Sequence, residues 1–453
     1  MKRVLTLVAS LVALLAAVGM LRVWTGGDDP MTRLPGPLGD APLLPPPGVA
    51  TAALSLGLLL LGSFLAGELC ALAGLPRVSG ALLFGIVAGP ELHAVLAPPV
   101  PPLVPRDELK YLQLVDALAV SLIGLVAGGE IRLEFLRRAA GQVARLVASD
   151  MFGVLLWVGA GLTAIGAFVP LLAERTPAHR AYLTLLLAAM AVANSPAVVT
   201  AMLRETGARG PMSRTALAVT VVKDLSLVVL VSALLAAWGG SRAGGSAAWS
   251  VAWHLSGSLL VGAGFAALLG LATLKTRGRL DLVVLVTGFA IALAGRLLSI
   301  APLLAGITAG FALANLAPRR TERLFRSIDN LLPATYALFF AVAGARIGLA
   351  GIGHVLPLAA GIAALRLAGI WTGLRVGCAW AKVHGTTRSW LWTSMVPQAG
   401  VSIALASEAR AVLGGEPWAD ALLALLLTVV ALHELVGPPL LRLGLIRSGE
   451  VPR

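Results

Sequence analysis

The chain has 453 residues, 58% of them hydrophobic and 13% charged, with a mean hydropathy of +0.90. Soluble domains carry about a quarter charged residues, so this composition excludes a soluble globular or disordered chain. The net charge of +13 would point to nucleic acid in a soluble protein. Here the basic residues sit between apolar runs, where they set topology, and no nucleic-acid partner is expected.

The apolar runs predict an all-α polytopic membrane protein with about 13–14 transmembrane helices, since about 20 apolar residues cross a bilayer. No alternation of the barrel kind is present. In chain order the expected spans are 4–24, 49–75, 78–96, 113–131, 146–173, 180–203, 215–238, 249–274, 281–296, 299–317, 328–350, 354–382, 389–413 and 418–445. Residues 1–24 read either as a signal peptide or as an extra transmembrane helix. Residues 25–48 are rich in Pro and Gly and read as an external linker. Residues 49–445 form the transmembrane domain, and 446–453 a cytoplasmic tail. Most of the 35 basic residues fall in alternate loops, which places both termini inside when the first helix is retained. Cys70 and Cys378 lie in apolar runs and form no ligand spacing. There is no zinc motif, phosphate-binding glycine loop or nucleophile elbow, so no enzyme activity and no cofactor are expected.

Two spans carry their own interruptions. "AVANSPAVVTAML" contains Pro196, which removes an amide donor and clashes with the preceding turn, so the helix breaks near Asn194. "SMVPQAGVSIALA" contains Pro397, Gln398 and Gly400 and reads the same way. Irregular backbone at membrane depth survives only inside protein or against a wet cavity. Interruptions at corresponding places in two halves point to a transport site between inverted repeats.

The buried polar residues gather at one depth. "VTVVKDLSLVVLV" sets Lys223 and Asp224 about 9 residues into an apolar helix, near the level of Asn194 and Gln398 at 1.5 Å per residue. Arg366 falls near the midplane, and Glu434 about 11 residues from an inner end. Ionisable groups at that depth are functional candidates. Ser195, Ser226, Asn194 and Gln398 offer neutral ligands. Glu68, Asp116, Glu130 and Asp150 fall near expected span ends and read as structural. Lys223 has a stem long enough to reach round its helix to Glu434, Asp150 or a carbonyl of a broken helix. Arg366, which cannot realistically lose its proton, reads as a fixed supporting charge, with Glu434 beside it in that role.

These motifs resemble the monovalent cation:proton antiporter superfamily, the sodium/hydrogen exchanger fold, on its bacterial Kef-type side. The resemblance rests on "LPRVSGALLFGIVAGPEL", "LIGLVAGGEIRLEFLRR", "NSPAVVTAMLRETG", "VVKDLSLVVL", "APLLAGITAGFALAN", "ALFFAVAGARIGL", "LRLAGIWTG", "VPQAGVSIALA" and "HELVGPPLL", in family order over roughly residues 50–445. It implies inverted five-helix repeats with two broken crossing helices, a homodimer, and residence in the bacterial cytoplasmic membrane. It also implies that Asp224 carries a monovalent cation (Na⁺ or K⁺) and a proton in turn, with no resident metal. Two positions depart from the family pattern. Lys223 stands where Asn, Asp or Gln is usual, and Ile370 stands where electrogenic relatives place a lysine. Two further readings stay open: a non-transporting sensor or assembly subunit with Lys223 plugging the site, and partner-gated potassium efflux.

Overall fold

The computed structural model describes residues 2–24, 47–96, 102–131, 133–173, 175–239, 246–275, 280–298, 300–316, 318–346, 352–398, 402, 409 and 419–451. The described elements are helical: α1 Lys2–Trp24, α2 Pro47–Leu72, α3 Arg77–Ala88, α4 Pro90–Leu96, α5 Arg106–Tyr111, α6 Gln113–Glu130, α7 Leu133–Ile165, α8 Pro170–Ala173 and α9 Pro177–Ala191. Then follow α10 Pro196–Thr206, α11 Pro211–Gly239, α12 Ser246–Lys275, α13 Leu280–Leu298, α14 Pro302–Leu316, α15 Pro318–Ala345, α16 Ile352–Trp380 and α17 Gly385–Trp390. A 3₁₀ turn at Leu391–Met395 and α18 Ala419–Ser448 complete the order. Gly400 and most of the expected linker lie outside the described residues.

Fewer helices than expected cross by length and apolarity alone. Among the described residues seven pass that test, or eight if a bent pair is one span. Of the other expected spans, 215–238 is the continuous 29-residue α11, which carries Lys223 and Asp224, and most of the rest are short, interrupted or only partly described. The expected span 78–96 is split at Gly89–Pro90, because Pro90 has no amide to continue α3. Arg77–Ala88, Ala117–Gly129 and Pro302–Leu316 are apolar but only 10–17 residues long. The last helix runs to Ser448, past the expected start of the tail. Glu450 beyond it accepts from the Met212 amide at 2.6 Å and the Ser213 amide at 2.9 Å, capping the start of α11.

Small residues set the packing. Gly124 and Gly128 on α6 face Gly306 and Gly310 on α14, and a Cβ on Gly128 or Gly310 would overlap a carbonyl of the opposing helix. Gly85 on α3 and Gly344 on α15 make the same close contact, as do Gly153 on α7 and Gly369 and Gly373 on α16. Lipid is as apolar as leucine, so helices associate in it through close backbone approach rather than by hiding apolar surface.

The pairing is reciprocal. α3 packs on α15 and α14 on α6; α2 packs on α15 and α13 on α6; α11 packs on α7 and α18 on α16. The segment after one break, α10, meets α18, and the 3₁₀ turn before the other meets α11. α7 and α16 pack on each other along residues 146–161 and 365–377. Swapping the halves reproduces the first three pairs of contacts, as two equivalent repeats require. α1 stands outside this scheme and lies along α2, burying Val18.

Candidate functional site

The site grows from the two interruptions. α9 stops at Ala191, residues 192–195 unwind, and α10 restarts at Pro196. Ser195 is the N-cap of α10, its hydroxyl accepting from the Val198 amide at 3.3 Å, with Pro196 in the first helical turn. In the second repeat the 3₁₀ turn stops at Met395 and the chain runs irregularly through Val396, Pro397 and Gln398. Each break strands carbonyls that helical amides would otherwise satisfy.

Arg366 answers both. Its Nε donates to the Ala191 carbonyl at 2.6 Å and its Nη2 to Ala193 at 2.6 Å. Its Nη1 donates to Val396 at 2.8 Å, and Nη2 also to Met395 at 3.0 Å. One planar fork thus bonds four carbonyls from two broken helices, and its charge faces the negative ends of both. Arg366 is fully buried on α16. The expectation of a fixed supporting charge gains here a specific set of contacts.

Asn194 joins the breaks from the other side. Its Nδ2 lies 3.5 Å from the Met395 sulfur, which the Thr220 hydroxyl approaches at 3.9 Å. Its Oδ1 is buried with no hydrogen-bond partner among the described residues. The backbone of Asn194 lies beside Asp224 on α11. Asp224 is 8% exposed, and neither carboxylate oxygen has a hydrogen-bond partner among the described residues.

Lys223 points elsewhere. It and Asp150 of α7 are both 0% exposed and form an ion pair. Asp150 had read as a residue near a span end, because hydropathy starts that span at 146. The helix in fact starts at Leu133, with Arg137 and Arg138 exposed along its first turns, so Asp150 lies deep within it. A cationic, amphipathic first half of a helix looks like a loop to a hydropathy window. The signal that finds Asp150 is the spacing of Arg137, Arg138 and Arg145, two helical turns along one face.

The other expected residues fall around this centre. Gln398 is buried and lines a small void with Met190, Ala191, Ile362 and Ser402, between α9, α16 and α18. Pro397 meets Gly437 of α18 so closely that a Cβ there would lie 2.6 Å from its Cα. Glu434 and His433 are buried on α18, and the His433 Nδ1 lies 2.8 Å from the Val429 carbonyl. Ser226 donates to its own helix at Val222, 2.9 Å away. The Ser195 hydroxyl is engaged as a cap. Glu68 pairs with Arg77 at 2.7 Å, the structural role its position implied.

With that geometry in place, the comparisons decide the family. The model of the family described as "Sodium/hydrogen exchanger, transmembrane" matches residues 56–443. The chain belongs to the sodium/hydrogen exchanger family. As a member it is a membrane transporter exchanging cations and protons, not an enzyme. Its fold is similar to that of the sodium proton antiporter MjNhaP1 from Methanocaldococcus jannaschii in a structure at pH 8. There the TM-score is 0.64 at 18% identity, over 88% of this chain and 96% of the other. An electron-microscopy structure of the same antiporter gives a TM-score of 0.64 at 17% identity, over 84% and 93%. At this identity the likeness concerns the fold. A sequence comparison with curated proteins gives no match.

Proposed function

We propose that this exchanger is a secondary antiporter of Na⁺ or K⁺ against protons, with Asp224 as the group that carries each in turn. One observation carries the reading. Lys223 and Asp150 are ion-paired and Arg366 is held by carbonyls, whereas the buried Asp224 carboxylate has no ion pair among the described residues, only the Asn194 backbone beside it. An ionised carboxylate offers oxygens to a hard cation, and a protonated one does not, so the two ligands exclude each other. The Asn194 Oδ1, buried with no hydrogen-bond partner among the described residues, is the neutral oxygen assigned here to complete a cation shell.

Access alternates, in this reading, because Arg366 ties both breaks and α16 into one unit that moves against the helices α3, α6, α14 and α15. Asp224 then faces each side in turn. The protein works as a homodimer in the bacterial cytoplasmic membrane. The non-transporting reading needs the Lys223 ammonium on Asp224; its ion pair with Asp150 argues against such a plug.

The test is pH-dye dequenching in proteoliposomes on adding NaCl, KCl or LiCl. Exchange predicts a cation-dependent proton flux that saturates. No flux with any of the three would end the antiport proposal.

A further inference from the structure

We infer that Asp150 is a positioning residue of the exchange site: it holds Lys223 as its own counter-ion and so keeps Asp224 open to an external cation. The inference rests on the exchange reading above and adds to it a residue and a stoichiometry.

The geometry is specific. Asp150 sits in the close packing of α7 on α16, its backbone so near Gly373 that a side chain there would lie 3.1 Å from the Asp150 Cα. That packing holds the backbone that carries the carboxylate. Lys223 and Asp224 are adjacent on α11, and adjacent helical residues do not share a face. Asp224 takes the side of the Asn194 break, and Lys223 takes the side of α7. On that side Lys223 meets Asp150, with the positive Arg366 also in range of the pair. Both members are wholly out of solvent, so each depends on the other for its charge.

Removing Asp150 leaves a buried ammonium with one other carboxylate close in sequence and space, Asp224. The ammonium then competes with the incoming cation for the same oxygens. With Asp150 in place the lysine keeps its proton throughout. The exchange step is then Asp224–COOH plus M⁺ giving Asp224–COO⁻·M⁺ plus H⁺, one for one.

The test uses the full-length protein in proteoliposomes, with initial proton flux measured against NaCl and KCl. Asp150→Asn should raise the apparent KM for the better cation about tenfold or more, with the maximum rate regained at high salt. Adding Lys223→Gln to it should bring KM back to within about threefold of wild type, because the competitor is gone. Asp150→Glu, which keeps the pair, should stay closer to wild type than Asp150→Asn. An unchanged KM in Asp150→Asn, or a double variant no better than the single one, overturns the inference. If Asp150→Asn does not fold, the double variant decides: flux with a near-wild-type KM supports the counter-ion role, and absent flux refutes it. Wild-type flux should not respond to an imposed potassium–valinomycin potential; a response means that Lys223 gives up its proton. No flux from wild type or any variant would sink the antiport proposal instead. In that event the melting temperatures of the two single variants and the double one still judge the pair, non-additive if it holds Lys223 and additive if it does not.

Discussion

Lys110–Asp107 and Lys223–Asp150 are the same chemical pair in two surroundings. The first joins residues three apart on the short helix α5, at 2.7 Å, with side chains 72% and 85% exposed. The second joins α11 to α7 with both side chains at 0%. On the surface, water and salt replace either partner at little cost, and such pairs contribute little. In the interior neither charge has another solvent, so the partner is part of the condition for being charged at all. An ion pair visible as sequence neighbours is thus the unimportant one, and the pair that matters joins residues far apart in the chain.

The comparison can be broken from the buried side first. Asp150→Asn should cost the most stability, roughly 3–5 kcal/mol, since it strands a buried ammonium. Thermal unfolding of the purified protein in detergent reads it, and an unchanged melting temperature would mean that the buried pair behaves like the exposed one. Arg366→Lys should cost somewhat less, roughly 2–3 kcal/mol, because an ammonium cannot span four carbonyls of two breaks and leaves some unsatisfied. Replacing the pair outright, with Lys223→Met and Asp150→Leu together, should shift stability by no more than about 1–2 kcal/mol, since no charge is left to strand. Lys110→Ala should not move the melting temperature measurably. The Lys110 hydrogen bond holds the Asp107 carboxyl below the usual carboxylate range. Its small contribution is therefore present above that range and lost as pH falls through it. Melting curves of wild type and Lys110→Ala should coincide at neutral pH and at about pH 3, below the usual carboxylate value.

The sequence carried the helices and the breaks clearly, because apolar length and prolines are local signals. Pro196 and Pro397 mark where the chain unwinds, and the depth of Arg366 marks it as buried. What Arg366 touches was not legible. Its four carbonyl partners come from residues some 30 and 170 positions away, and a carbonyl has no letter in the sequence. Lys223 has three possible partners by reach alone, and the packing of α11 on α7 selects Asp150. Ser195 reads as a neutral ion ligand, and a serine before a proline at a helix start also reads as an N-cap, the role the structure shows for its hydroxyl. Gln398 reads as a residue at the depth of the cation site, and in the structure it opens on a void against α9 and α18. Depth alone does not give the side of a helix on which a residue falls.

The central claim is that Asp224 is the carboxylate that exchanges cation and proton. Asp224→Asn removes the proton and the charge and keeps the shape. The measurement is cation-driven proton flux in proteoliposomes of wild type and Asp224→Asn, matched for folded protein by size exclusion and melting temperature. A folded variant with no NaCl- or KCl-dependent flux, beside a wild type that shows it, is the expected result. Wild-type flux from Asp224→Asn would contradict the account and move the exchange to another group.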